Sequence, residues 1–296
     1  MFDLRYHVAS LAAVFLALLI GILVGVGVSG RVDESKNDLL RERIDDLNAR
    51  LDSAGENRAG LVREQKAARA FMKNAYPLLI EDRLRGKRIA IVFVGSVHTG
   101  LRDQVEQALS DAGARTPLRM RALNLPMDVE RVDRALDGHA DLEQFRGDDA
   151  LGSLGRELGT EFVSGGQTPA WDVLTPLIVK ERAGRLGRAA DGVVVVRTTE
   201  PQRGETARFL GAFYAGLADS GVPAVGVETA AENPSAVPVW SRTGLSTVDN
   251  INEQSGRLAL ALLLAGGRGG SYGIKEDADD GLVPPLDSVP EQEAGG

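Results

Sequence analysis

The chain has 296 residues, of which 34 are Lys or Arg and 42 are Asp or Glu, so its formal net charge is −8. Hydrophobic residues make up 43% of the sequence, which is enough for a packed core and excludes a wholly disordered protein. The sequence pI near 5.1 argues against a nucleic-acid-binding surface, and the absence of cysteine excludes disulfides, zinc fingers and iron–sulfur clusters.

The clearest signal lies near the amino terminus, where residues 8–28 read VASLAAVFLALLIGILVGVGV without a charged or amide side chain. About twenty apolar residues cross the hydrocarbon layer as a helix, so this segment predicts a transmembrane helix. The Lys and Arg residues on its two sides do not fix its orientation alone. We expect a signal anchor, with residues 1–7 as a short cytoplasmic end and the bulk of the chain extracytoplasmic. A cleaved signal peptide is the alternative.

Small residues recur along the predicted membrane helix. Gly21, Gly25 and Ser29 are four residues apart, which places them on one helix face. A face of small residues at this spacing lets two membrane helices approach closely. The three residues are therefore candidates for membrane-helix packing, although glycine is also common in membrane helices in general.

Residues 32–76 are predicted to form a helical coiled-coil stalk. Apolar residues there are separated alternately by four and three positions, and the intervening positions are mostly Arg, Glu, Asp and Lys. Such a heptad seam favours a left-handed coiled coil with a second copy or with another protein. The alternative is an amphipathic helix that lies on its own domain. The candidate partner-binding residues of this seam are Leu40, Ile44, Leu47, Leu51, Leu61 and Met72.

Pro77 is predicted to end the stalk, because the residue before a proline is pushed out of the helical region, and a globular domain is expected over residues 77–274. Apolar runs typical of buried strands alternate there with amphipathic helical patterns. This alternation predicts a mainly parallel sheet covered on both faces, an α/β three-layer sandwich of the Rossmann or flavodoxin type. The predicted strands are 88–94, a half-exposed strand over 118–122, 192–197 and 223–227, and the predicted helices are 101–112, 128–136, 151–158, 171–182 and 204–218.

Two later segments complete the predicted organisation. Residues 258–265 read LALALLLA, but eight apolar residues are too few to span a bilayer, so they predict the buried end of a helix that begins near Asn252. One membrane crossing is therefore expected. Residues 275–296 contain seven acidic side chains and three prolines against Lys275 as the single basic residue, which predicts an acidic disordered tail.

Catalytic chemistry has little support in the sequence. Residues 95–100 (GSVHTG) follow a predicted strand, where α/β sheets bind ligands, and free amides at the next helix would suit an anion. The loop lacks the lysine of a P-loop and the three glycines of a dinucleotide fingerprint, so an ordinary strand-to-helix turn is the alternative. No G-x-S-x-G elbow occurs, and Ser96 near His98 does not make a triad. We therefore predict a protein that is not an enzyme.

A metal site is equally hard to place. Copper(I) prefers thiolate and thioether ligands, yet the chain has no Cys, four Met and no Met-x-Met or His-x-His pair. Met120 and Met127 could meet His98 or His139 in space, but methionine more often fills a core. No catalytic, cofactor-binding or metal-ligating residue is assigned.

Several stretches, which together extend over essentially the whole chain, are similar to one known family. They are the opening LRYHVASLAAVFLALLIGILVG, the predicted coiled coil, Ser246-Thr247-Val248-Asp249-Asn250, Ser271-Tyr272-Gly273 and Leu282-Val283-Pro284-Pro285. They resemble the actinobacterial MctB/SteB family. The resemblance implies a mycobacterial-type envelope protein, described as an outer-membrane channel that promotes copper efflux. A corynebacterial branch is instead linked to cell division, where it pairs with a membrane protein called SteA and influences a peptidoglycan hydrolase.

These observations give two main hypotheses for the function. The first is a non-enzymatic, membrane-anchored envelope protein in copper transport or copper homeostasis, with copper implied by the resemblance alone. The second is a coiled-coil scaffold or regulator of cell division and peptidoglycan hydrolysis, which acts through residues 40–72 on a SteA-like partner or on a second copy. An enzyme acting at residues 95–100 is a third class, and it predicts that a small anion bound there raises the melting temperature.

Overall fold

The computed structural model describes residues 4–115, 119–147, 150–185 and 187–288, except for the side chains of residues 4–6 and 27–39. The chain divides into two units, Met1–Arg69 and Ala70–Gly296. The described part of the first unit is helical throughout, and the second unit is an α/β domain.

A single helix forms the first unit and continues into the second. Helix α1 (Leu4–Ile80) includes both the predicted membrane segment and the predicted stalk, with no break between them. Its apolar stretch His7–Val26 has 20 residues, which is long enough and apolar enough to cross a membrane. The apolar N-terminal helix expected from the sequence is therefore confirmed.

Helix α1 ends later than the sequence predicts. Pro77 lies inside the helix, which continues to Ile80, and the Glu81 amide donates to the Pro77 carbonyl over 3.3 Å. Tyr76 and Ile80 are buried in the core of the second unit. Their burial offsets the unfavourable conformation of the residue before proline and the one helical hydrogen bond that proline cannot donate.

The second unit is built on a seven-stranded sheet. Its strands are β1 (Ile89–Val94), β2 (Arg119–Leu123), β3 (Val179–Ala183), β4 (Gly192–Arg197), β5 (Ala224–Val227), β6 (Ser246–Val248) and β7 (Ser271–Tyr272). They lie in the order β3-β2-β1-β4-β5-β6-β7. Every pairing is parallel except that of β2 with β3, which is antiparallel and closes one edge. The mainly parallel α/β class predicted from the sequence is confirmed.

Helices cover both faces of this sheet. They are α2 (Thr99–Asp111), α3 (Val129–Leu136), α4 (Leu151–Ser164), α5 (Pro169–Ile178), α6 (Gly204–Ala218), α7 (Val237–Arg242) and α8 (Gln254–Leu264), with 3₁₀ helices at Ala140–Phe145 and Leu286–Ser288. Helices α3 to α7 pack on the face that carries Val92 and Val195. Helices α2 and α8 and the end of α1 pack on the face that carries Ile91 and Val194. The domain is thus a three-layer sandwich.

Helices α4 and α6 cross at unusually short range because both carry glycine at the crossing. A Cβ atom at Gly155 would lie 2.5 Å from the Phe209 carbonyl oxygen, and one at Gly159 would lie 2.5 Å from that of Phe213. Gly216 on α6 lies against the Arg156 carbonyl in the same way. Any larger residue would push the helices apart, so these glycines fix the position of α6 beside β4.

The edge of the sheet departs from the sequence expectation. The sequence predicts one helix over residues 171–182, but α5 ends at Ile178 and the exposed segment VKERA then forms β3. The sequence also predicts a half-exposed strand over residues 118–122, whereas β2 is buried at every position from Arg119 to Leu123. Its arginines are buried because their guanidinium groups donate to backbone carbonyls of neighbouring segments. Leu118 lies outside the described residues.

Residues 275–288 differ from the disordered tail that the composition predicts. Lys275 forms an ion pair with buried Glu228, with 2.5 Å from Nζ to Oε1. Asp280 accepts a hydrogen bond from the Ser271 amide over 2.8 Å, and Val283 packs against the core. These contacts attach the segment to the domain, because Lys275 and Asp280 each meet a specific partner and Val283 is packed. Residues 289–296 of the predicted tail lie outside the described part of the chain.

Candidate functional site

The strand order creates a switch point between β1 and β4. The chain leaves β1 into α2 on one face of the sheet, and it leaves β4 into α6 on the other face. The two loops therefore diverge at the carboxyl ends of neighbouring parallel strands. Open α/β sheets form their ligand crevices at such points.

A cleft of about 480 Å³ opens at this place, and we call it the switch-point cleft. It is lined by residues that follow three neighbouring strands, β1, β4 and β5, and the predicted loop at residues 95–100 supplies part of it. The lining residues are His98, Gly100, Leu101, Gln104, Arg197, Thr198, Thr199, Glu200, Pro201, Thr229, Glu232, Asn233 and Pro234.

The loops after β1 and β4 are held together at the base of the cleft. Gly95 has φ +115°, and a Cβ atom there would lie 3.0 Å from the Thr198 hydroxyl oxygen, so only glycine fits without displacing a neighbour. The Thr198 amide donates to the Val94 carbonyl over 3.1 Å, and its hydroxyl donates to the Ser96 carbonyl. The two loops at the base of the cleft are therefore held together by one backbone hydrogen bond and by the Thr198 side chain.

The polar groups of the cleft carry both signs of charge. Arg197 donates to the Pro234 carbonyl, and Glu200 and Glu232 contribute carboxylates. Exposed His98 precedes α2 without making a side-chain capping hydrogen bond. The Oε1 atom of Gln104 is buried and has no hydrogen-bond partner among the described residues. Such a set suits a small polar ligand.

The arrangement does not build a nucleophile from Ser96 and His98. The Ser96 hydroxyl accepts a hydrogen bond from Lys180 Nζ over 2.9 Å, so its partner is a cation and not the imidazole. A serine nucleophile needs a base within hydrogen-bond reach. The described contacts therefore do not support a Ser96–His98 nucleophile.

The methionines and histidines considered for copper do not converge. Met120 is buried on the face of the sheet that α2 and α8 cover, whereas Met127 packs on the opposite face. His139 is exposed before the 3₁₀ helix Ala140–Phe145. Within residues 4–288, over the described ranges, no three His, Asp or Glu side chains are grouped so that they would hold one metal ion.

The predicted seam of α1 falls into two parts. The side chains of Leu40, Ile44, Leu47, Leu51 and Leu61 are 54 to 68% exposed. Met72 instead packs against the core of the second unit. Partner binding by this seam remains a prediction, and Met72 already has a packing role within its own domain.

The predicted membrane-helix face can be described only in part. A Cβ atom at Gly21 or Gly25 would meet nothing within 4 Å, so contacts within the chain do not require glycine at either position. The side chain of Ser29 lies outside the described residues. Packing of this face against another membrane helix remains a prediction.

The sequence predicts one of the three loops that line the switch-point cleft and does not predict the other two. The loop at residues 95–100 is predictable because it follows an apolar strand. The segments around Thr199 and Glu232 follow β4 and β5 in the same way, and that position was the available signal. Their convergence with His98 depends on the strand order, which the sequence does not state.

The fold and the apolar helix define a class of protein, an α/β domain that follows a single helix of membrane-spanning length. Residues 1–284 match the family described as "Copper transport outer membrane protein, MctB", so the chain belongs to the MctB family, as the resemblance suggested. The proteins named "Copper transporter MctB" from Mycobacterium bovis and Mycobacterium tuberculosis are 26% identical to it over 321 residues. The alignment covers 94% of this chain and 98% of each relative.

Proposed function

We propose that this chain is a non-enzymatic, single-pass membrane protein of the cell envelope that takes part in copper transport or copper homeostasis. The observation that carries the proposal is the family match over residues 1–284, which includes the apolar helix as well as the domain. Both curated relatives bear the name of a copper transporter and align over nearly their whole length.

Copper enters this proposal as cargo. Soft copper(I) selects thiolate and thioether ligands, and this chain offers dispersed methionines and no cysteine. We therefore propose that copper handling depends on an assembly in which this chain is one component, and not on a buried multi-ligand site in one domain. The exposed apolar seam of α1 is the surface through which such an assembly would form.

Deletion of the gene in its host tests the role in copper handling. We expect cells without the protein to retain more copper after a copper challenge, measured by mass spectrometry of washed cells. Wild-type chain supplied in trans should restore the original level, and challenge with zinc serves as the control. Unchanged copper content in the deletion strain would remove the proposal.

The topology is tested separately. The chain has no cysteine, so Asp279→Cys places one thiol on the exposed surface of the domain, and Asp3→Cys places one before the apolar helix. If residues 1–7 are cytoplasmic and the domain is extracytoplasmic, a membrane-impermeant maleimide labels only the Asp279→Cys variant in intact spheroplasts. The intact mass of that product also tests whether the amino-terminal segment is cleaved. The opposite labelling pattern would place the domain in the cytoplasm.

A second candidate function is a coiled-coil scaffold or regulator of cell division and peptidoglycan hydrolysis. Its support is the exposure of Leu40, Ile44, Leu47, Leu51 and Leu61 on one helix. A seam of this kind is covered in a coiled coil by a partner helix.

Crosslinking in native membranes tests this second function. Leu47→Asp combined with Leu51→Asp should abolish the crosslinked species, whether a second copy or a SteA-like membrane protein. Ala59→Asp combined with Val62→Asp is the matched control, because both residues are exposed but lie outside the seam. Association that survives the first pair of substitutions would deprive the scaffold function of its main support.

A further inference from the structure

A second large cleft lies at the amino-terminal ends of the parallel strands, opposite the switch-point cleft. It has a volume of about 510 Å³. Its lining includes Arg88 before β1, Arg115 between α2 and β2, Arg119 at the start of β2, and Arg185 and Arg188 between β3 and β4. We call it the arginine cleft. No acidic side chain is among its described lining residues. The concentration of positive charge is notable in a chain whose formal net charge is −8.

Arg119 forms the floor of the arginine cleft. Its side chain is only 8% exposed, and its Nη1 atom donates to the Phe162 carbonyl over 2.6 Å. Its Nε atom donates to the Arg185 carbonyl over 3.1 Å, and Nη2 donates to the Arg188 carbonyl. Arg119 thereby fixes the backbone that carries the exposed side chains of Arg185 and Arg188. The cationic rim is therefore held in place by a buried cation.

An acidic side chain lies beside one end of the arginine cleft. Arg88 forms an ion pair with Asp191, with 3.3 Å from Nη2 to Oδ1, and its Nε atom is buried without a hydrogen-bond partner among the described residues. Burial, and then the positive charge of Arg88, lower the pKa of Arg119. Both effects disfavour the charged form of Arg119. A bound anion would offset this unfavourable free energy.

Guanidinium groups also restrict the kind of anion. Arginine presents a planar fork of donors that matches the oxygens of a phosphate in a bidentate manner. Several guanidinium groups around one cleft suit a ligand that presents phosphate oxygens in more than one direction. A copper cation would be repelled from the same place.

We infer that the arginine cleft is a binding site for a phosphate-bearing anion. The anion is either a soluble compound with phosphoryl groups or the phosphorylated headgroup of a lipid. This site is independent of the copper proposal, because it uses other residues and the opposite sign of ligand charge.

Calorimetric titration of the full chain in phosphatidylcholine nanodiscs tests this inference. One arm uses inorganic pyrophosphate, and the other uses glycerophosphoinositol as the water-soluble headgroup of a lipid. We expect at least one of them to bind, and the binding to weaken as sodium chloride is raised, because salt screens exposed charges. Tighter binding of pyrophosphate assigns a soluble ligand, and tighter binding of glycerophosphoinositol assigns a lipid headgroup.

Substitution of the exposed arginines of the arginine cleft distinguishes binding at this cleft from binding to surface charge in general. Arg115→Gln, Arg185→Gln and Arg188→Gln together should weaken binding at least about tenfold. The three side chains are exposed, and the carbonyls that Arg119 binds are backbone atoms, so the fold is retained. The control removes the same charge from exposed positions elsewhere, with Arg131→Gln, Arg134→Gln and Arg242→Gln. Failure of both ligands to bind wild-type protein, or an equal loss in the control, would overturn the inference.

Discussion

Two leucine-rich helical segments of this protein have opposite environments. The apolar part of α1, His7–Val26, is exposed along its whole length, whereas α8 with its run of Leu and Ala is buried in the domain. Hydrophobicity alone does not distinguish the two segments. Their lengths differ, and only α8 is covered by other parts of the chain. Helix α8 has 11 residues and a sheet to pack on, so its apolar surface is satisfied within the chain. The apolar part of α1 has no such cover within the described chain, and its length and composition suit a membrane-spanning helix.

The largest expected effect concerns the membrane requirement of α1. Leu16→Arg combined with Leu19→Arg introduces two charges at the centre of the apolar stretch, at about 2.5 to 3.5 kcal/mol each. We expect the double variant to be released by alkaline carbonate, measured as the fraction of full-length chain in the membrane pellet. Leu47→Arg combined with Leu51→Arg adds the same charge outside this stretch and should remain in the pellet. Retention of the first variant would mean that the helix does not span the bilayer.

The next effect concerns the ion pair that attaches residues 275–288 to the domain. Lys275 is 15% exposed and Glu228 only 1%, and the lysine also donates to the Glu232 carbonyl over 2.7 Å. Lys275→Met leaves the buried carboxylate without its cation, so we expect a loss of about 3 to 5 kcal/mol in the free energy of unfolding. Denaturant unfolding, monitored by the fluorescence of the two buried tryptophans, measures it.

The control for this variant is Lys180→Met, which removes an exposed lysine near the carboxyl ends of the strands. It should change stability by less than about 0.5 kcal/mol. If the two lysines prove equivalent, the segment after residue 275 contributes nothing to the domain and belongs with the unstructured tail predicted from composition.

A third prediction concerns the position along α1 at which the exposed part of the helix ends and the part packed in the domain core begins. Ile80 is 2% exposed in the domain core, and Leu61, on the same helix, is 67% exposed. Ile80→Ala should cost about 2 to 5 kcal/mol of unfolding free energy, because it leaves a cavity. Leu61→Ala should stay within about 0.5 kcal/mol in the monomeric full chain, measured by the same unfolding experiment in detergent. Equal losses would show that the stalk is packed along its length.

The sequence predicts the interior of the fold well because buried parallel strands have a simple pattern. The run GVVVVR and the helix after Pro201 have the observed bounds, Gly192–Arg197 and Gly204–Ala218. Both faces of β4 are covered, so every position from Gly192 to Val196 is buried and the apolar run is continuous.

The edges and the clefts are harder to predict because they depend on partners distant in sequence. The segment VKERA becomes β3 through its pairing with β2, because Val179 is its only residue of a type that favours strands. Arg119 and Arg121 are buried although they alternate with apolar residues, because carbonyls of residues 162–188 accept their hydrogen bonds. Burial, and then the neighbouring Arg119, lower the pKa of Arg121 to about 10. The arginine cleft cannot be predicted from the sequence, because its arginines are brought together by segments that are distant in sequence.

The smallest expected effect compares a buried and an exposed carboxylate within the domain. Glu161 is 3% exposed, and its carboxylate accepts the Ala170 and Trp171 amides at 3.1 and 3.0 Å, which fixes the start of α5. Burial raises the pKa of Glu161, although these two hydrogen bonds lower it in part. Between the ordinary and the raised pKa the folded state binds more protons than the unfolded state, so this group makes stability fall as pH rises through that window.

Glu161→Gln removes that titration. The difference in unfolding free energy between wild type and this variant should therefore change across the window above the ordinary pKa of glutamate, in favour of wild type at the acidic end. At neutral pH the free energy of unfolding of Glu161→Gln should differ from that of wild type by about 0.5 to 1.5 kcal/mol. The reason is that an amide replaces the carboxylate that accepts hydrogen bonds from two backbone donors. Glu81→Gln, which removes an exposed carboxylate near the end of α1, is the control for the loss of one surface charge. A flat difference for Glu161→Gln would mean that water reaches its carboxylate and that the start of α5 is open in solution.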